Sequence, residues 1–155
     1  MILPVVAWYF QDLLQVLFPG SLVVPDIFFM VLVYRVAFPA RGVHEIIWPA
    51  FAGGMLWDLR WTALPGMTAA IYAFSLTLCV LGWNRIPDSG RNPRLFFLIA
   101  AVGHILIGIA RLIATGENAG SFAVSLAIQQ VIALPLLLVA AMILSSRMTD
   151  SDVRR

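Results

Sequence analysis

The sequence predicts an all-α membrane protein of about six transmembrane helices, with the N and C termini cytoplasmic. Three observations predict it. Hydrophobic residues make up 61% of the chain and charged residues 12%, about half the charge of an ordinary soluble domain. Apolar stretches approach the roughly 20 residues that a helix needs to cross hydrocarbon, and turn residues separate them. All ten cations are arginine, and their positions sort onto one side of a membrane.

The first span is expected over 2–18. It lacks a basic leading segment and a small-x-small cleavage site and carries Pro4, Gln11 and Asp12, so it reads as a retained helix and not a secretory signal. The second is expected over 22–40 and includes Pro25 and Asp26; residues 1–40 hold either two full spans or one span plus an interfacial segment. Four more follow at 43–59, 66–83, 94–114 and 120–146. Pro19-Gly20, Arg41-Gly42, Leu64-Pro65-Gly66, "RIPDSGRNPR" and "TGENAG" supply the breaks. Residues 1–146 thus form one transmembrane domain, and 147–155 a short cytoplasmic tail.

Arginine placement orients this arrangement. With the N-terminus inside, Arg35, Arg41, Arg85, Arg91, Arg94, Arg147, Arg154 and Arg155 fall on the cytoplasmic side, against Arg60 and Arg111 outside. That bias follows the positive-inside rule for an even number of spans.

Several chemistries are disfavoured. The cations are too few and too dispersed for a nucleic-acid surface. Cys79 is the only cysteine, which excludes an internal disulfide or a cysteine zinc cluster. "HEIIW" at 44–48 begins like a zinc-protease helix, but Trp48 stands where the second histidine is needed; His44 and Glu45 read as interfacial anchors. No lysine exists to serve a phosphate-binding loop, and no serine is linked to a histidine and an acid at one depth. No catalytic residue, cofactor or metal is expected.

A few polar residues at membrane depth remain. His104 lies mid-way along the fifth span, where an ionisable group is costly and marks function or an interhelical hydrogen bond; Gln129 and Gln130 on the sixth span are its expected partners. Asp12 with Gln11 and Gln15 makes a polar face on the first span, directed at the bundle, a partner helix or a water-accessible cleft. Arg35 can snorkel to the headgroups. Arg111 has the same option, or can pair with Asp26 or Asp58. Ala50 and Gly54 make a small-xxx-small face for close packing. Asp58 lies one turn beyond, Trp57 and Trp61 sit where an aromatic belt is expected, and Pro65-Gly66 turns the chain. Asp58 reads as a polar clamp, within the bundle or toward a partner.

Two motifs resemble the rod shape-determining protein MreD family of bacterial cell-wall elongation. One is a Pro-Asp opening a very apolar helix that contains a tyrosine, "PDIFFMVLVYRVAF" from Pro25 to Phe38. The other is a glycine-rich helix ending in Gly-x-x-x-Asp with a further glycine eight residues on: Gly54, Asp58 and Gly66. The turn "LRWTALP" and Thr68 depart from the family's usual residues there. The resemblance implies a six-helix fold similar to the S components of energy-coupling-factor vitamin transporters. It also implies a non-enzymatic inner-membrane scaffold that binds MreC. Through MreC it would associate with the elongation penicillin-binding transpeptidase, RodA and MreB. A vitamin-type S component, binding a small molecule in an outward cavity, is the competing reading.

Overall fold

In a computed structural model the described residues are 2–18, 24–38, 42–61, 64–115 and 119–153, with the side chains of 88, 111–115, 119, 121, 122 and 149–153 left aside. Within them the regular structure is helical: α1 (Ile2–Leu17), α2 (Ile27–Val36), α3 (His44–Trp61), α4 (Met67–Asn84), α5 (Pro93–Thr115) and α6 (Ala119–Val153), plus a 3-10 turn at Asp88–Gly90. Among the described residues three helices, α4, α5 and α6, are long and apolar enough to cross a membrane. α3 has the length, at 18 residues, but carries Glu45, Asp58 and Arg60.

The element expected over 22–40 is shorter than that. α2 has ten residues, a rise of about 15 Å, half the roughly 30 Å of a hydrocarbon core. Proline sets both limits. The helix begins only after Pro25-Asp26, and at its far end Phe38 precedes Pro39, whose ring disfavours helical backbone at the preceding residue. At the other extreme α6 runs for 35 residues, about 52 Å, so the tail expected from 147 onward begins as a continuation of the helix.

Local chemistry starts the later helices. Asn92 is the cap of α5: its Oδ1 accepts the Leu95 amide at 2.8 Å, and Pro93 occupies the first helical position, where a missing N–H costs nothing. α4 starts from Gly66 at φ +87°, a left-handed backbone that residues with a Cβ adopt at a cost of about 1–2 kcal/mol.

The short helix is the centre of the bundle. α2 packs against α1, α3, α4 and α5, while consecutive helices α3–α4, α4–α5 and α5–α6 pack pairwise. Phe28, Phe29, Met30, Leu32, Val33 and Val36 of α2 are all buried, with Phe29 and Leu32 fully so. They meet Tyr72 and Leu76 of α4 and Phe96, Ala100 and Ile107 of α5 in one core. Tyr72 lies between the rings of Phe28 and Phe29, with centroids 6.0 and 5.9 Å away. The outside is apolar too: α1 exposes Ile2, Leu3, Val6, Phe10 and Leu13, and α6 exposes Val124, Val131, Leu138 and Met142. An apolar exterior around a core holding polar groups is what lipid as solvent requires.

Candidate functional site

Polar side chains from five helices meet at the start of α2. The first amides of a helix have no partner within it, and here other helices supply them. The Asp26 amide donates to His104 Nε2 of α5 at 3.3 Å. The Phe28 amide donates to Gln11 Oε1 of α1 at 2.9 Å, and Gln11 Nε2 in turn donates to Asp26 Oδ1 at 3.3 Å. The Tyr72 hydroxyl of α4 donates to the same carboxylate oxygen at 2.6 Å. Gln129 of α6 donates to the Val24 carbonyl at 3.3 Å, and Gln130 meets His104 Nδ1 at 2.9 Å. Gln11, Asp26, Tyr72 and His104 are each at most 2% exposed.

The histidine's protonation follows from its partners. Nε2 accepts an N–H, so it carries no proton, and the ring is the neutral tautomer protonated at Nδ1. Nδ1–H then has to donate; the atom placed 2.9 Å from it is Gln130 Nε2, so the amide must turn over for Oε1, otherwise unpartnered, to receive the proton. The expected His104 bond to the sixth helix is therefore present through Gln130, and the same ring also holds the start of α2. That second contact spans 78 residues and has no counterpart in sequence spacing.

The Gly54–Asp58–Gly66 corner is a second construction. A Cβ built on Gly54 would sit 2.4 Å from Ala69 Cα and 2.6 Å from Ala69 N, so the backbones of α3 and α4 touch there. One turn further on, the fully buried Asp58 carboxylate accepts the Thr68 amide with both oxygens, at 3.1 and 2.9 Å, and the Ala69 amide at 3.3 Å. A carboxylate on the first amides of a helix satisfies orphan donors and complements the helix dipole. Gly54 brings the chains together, Gly66 aims the amides, and Asp58 binds them. Of the two roles open to Asp58, the geometry is that of a clamp within the bundle.

Asp12 joins α1 to the C-terminal end of α3. Its Oδ1 lies 2.8 Å from Arg60 Nε and accepts the Trp61 indole N–H at 2.9 Å, while Trp8 of α1 donates its indole N–H to the Gly53 carbonyl at 2.9 Å. The polar face expected on α1 thus turns inward at Gln11 and Asp12, with Gln15 half-buried. The expected aromatic belt divides: Trp61 is 38% exposed, but Trp57, on the Gly54–Asp58 face, is 8% exposed and belongs to the interior. Arg111 lies on α5, its side chain outside the described residues. Pro25 is buried and sets the non-helical backbone before α2.

Compared with family models, curated proteins and solved structures, the chain matches none. What the site can do therefore rests on its own geometry. The acids of both motifs accept hydrogen bonds from other helices, and among the described residues no group of three or more His, Cys, Asp or Glu side chains is placed to hold a metal ion. Sequence reasoning missed Tyr72 and paired Gln11 only with its own helix. The signal for Tyr72 was a single tyrosine hydroxyl in an otherwise apolar run, and such a hydroxyl needs a partner when buried.

Proposed function

We propose that this chain is a non-enzymatic scaffold of a bacterial plasma membrane, acting as MreD proteins do in cell-wall elongation and binding MreC. It would take a six-span arrangement with both termini cytoplasmic, α2 crossing only as part of the bundle. The observation that carries the reading is the position of Asp26 and Asp58. These two motif acids are buried and hydrogen-bonded across helices, the behaviour of residues that define a fold, and they are the residues on which the resemblance rests. The short loops leave the helix faces and tail for partners, and the long apolar face of α6, packed along α5, offers lipid or another helix an extended surface. The vitamin-binding reading draws less support, because polar groups that would line a cavity, Gln11, Asp12 and Asp58 among them, are engaged inside the bundle.

The test is recovery of MreC with the tagged full chain from solubilised membranes, together with cell shape on depletion. The expected result is co-purification of MreC and rounding of rod-shaped cells. No recovery of MreC and unchanged shape overturns the proposal; a small molecule retained through native purification replaces it with the transporter reading.

A further inference from the structure

Outside the polar hub lies a groove of about 400 Å³ between α1, α2 and α3 that has no role so far. Trp8, Tyr9, Trp48, Ala52 and Leu56 contribute apolar walls, and among the described residues the one charged side chain lining it is Arg35. Arg35 is only partly buried as a residue, yet its Nη1 is buried and has no hydrogen-bond partner. A guanidinium stays charged under all biological conditions, and a buried charged donor left unpaired costs more than an ordinary missing hydrogen bond.

The groove has a direction. Phe28 packs on Gly53 and Trp8 bonds to Gly53, which fixes one end. Arg35, seven residues further along α2, lies about 10 Å away by helical rise, and Pro4 and Trp48, near the starts of α1 and α3, line the same groove. With the N-terminus cytoplasmic, the charged end is the one nearer the inner headgroups and the apolar end reaches toward mid-membrane. A cation at one end and an aromatic and aliphatic trough at the other match an amphiphile whose head is an anion and whose body is hydrocarbon.

We propose that this groove is a binding site for an anionic phospholipid of the cytoplasmic leaflet, its phosphate held by Arg35 and one acyl chain lying between α1 and α3. The planar guanidinium offers paired donors that fit phosphate oxygens, and its unsatisfied Nη1 acquires the partner that it lacks. The volume lies within the range of small-ligand sites and accommodates part of one acyl chain, the remainder lying in the bilayer. This inference rests on the cytoplasmic N-terminus proposed above and is independent of MreC binding.

Native mass spectrometry of the full chain, in micelles doped with equal amounts of phosphatidylglycerol and diacylglycerol of the same acyl composition, tests it. The intact protein is expected to retain phosphatidylglycerol about tenfold over diacylglycerol, the size of one charge-assisted contact. Arg35→Gln is expected to bring that ratio to about one, while Arg85→Gln, at an exposed arginine, leaves it unchanged. Ala52→Trp, which fills the trough from an exposed position, is expected to lower retention of both lipids and serves if Arg35→Gln fails to fold. Equal retention of the two lipids by the unaltered chain overturns the proposal. So does an equal loss of preference in Arg85→Gln, which makes the attraction a general surface effect, or full lipid retention in Ala52→Trp. Recovery of a stoichiometric membrane protein that departs with Arg35→Gln, without lipid preference, assigns the groove to a partner helix instead.

Discussion

The Tyr72 hydroxyl donates to the Asp26 carboxylate across 2.6 Å, joining α4 to the start of α2 between positions 46 residues apart. Both residues are 1% exposed. Tyr72→Phe removes one hydrogen bond to a charged group and leaves the ring's packing intact, so it is expected to cost about 1.5–3 kcal/mol. A thermal melt in detergent checks this, with Tyr9→Phe, 65% exposed, as the variant that should not shift the midpoint.

Gly54 and Gly82 form a matched pair. Gly54→Ala forces a methyl group into the backbone of Ala69, 2.4 Å away, whereas a methyl on Gly82 meets nothing within 4 Å. Overpacking of the first kind costs about 1–3 kcal/mol, and an alanine at the second gains up to about 1 kcal/mol of helix propensity. Opposite shifts of the melting midpoint are expected, and equal shifts would contradict the close approach of α3 and α4.

At the α3–α4 corner, Asp58→Ala strands the Thr68 and Ala69 amides in a buried place, at about 1–3 kcal/mol for each group. Asp58→Asn keeps one carboxamide oxygen and should lose less. Hydrogen exchange at Thr68 and Ala69 distinguishes the two: faster exchange is expected in both variants, and much faster in the alanine one.

Gly66→Ala should cost about 1–2 kcal/mol through its φ of +87°. The nearest atom to an added Cβ is Met55 Sδ, at 3.9 Å, so the cost is conformational and not steric. Gly66→Asn, which tolerates the left-handed region better, should recover part of the loss in the same melting experiment.

His104 is expected to show one protonated and one unprotonated ring nitrogen, with the proton on Nδ1, in nitrogen-15 spectra of a His44→Gln chain. Gln130→Leu should alter the Nδ1 signal and leave Nε2 bonded to the Asp26 amide. A proton found on Nε2 would contradict the contact at the head of α2.

Composition and turn residues made most of the helices legible. Asn92-Pro93 announces α5 because cap and first helical residue are neighbours in sequence, and Pro65-Gly66 announces α4 in the same way. The limits of α2 were only half legible. Pro25 and Pro39 mark them, yet the apolar run between invites a full span, and the acceptors of the first amides, Gln11 and His104, are remote in the chain. Asp58 was recognised as a clamp from its spacing to Gly54, because one helical turn is a local relationship; its target, the Thr68 and Ala69 amides, depended on how the loop brought α4 back. Trp57 was misjudged because an aromatic near a helix end suits a lipid interface and a packed face equally well, and only the neighbouring helix decides between them.

The brevity of α2 has a consequence for the order in which the protein is made. Ten residues opened by a proline and an acid are a poor unit for release into lipid alone. The partners that settle Asp26, Tyr72 and His104, emerge 46 and 78 residues later. At a synthesis rate of ~5–20 residues per second, Asp26 waits for several seconds with Gln11 as the one of these partners already made. In that interval the N-terminal third is an unfinished intermediate in which Asp26 still lacks Tyr72 and His104. Completion of α5 supplies the last of these partners, so the start of α2 is settled only when the chain is two-thirds made.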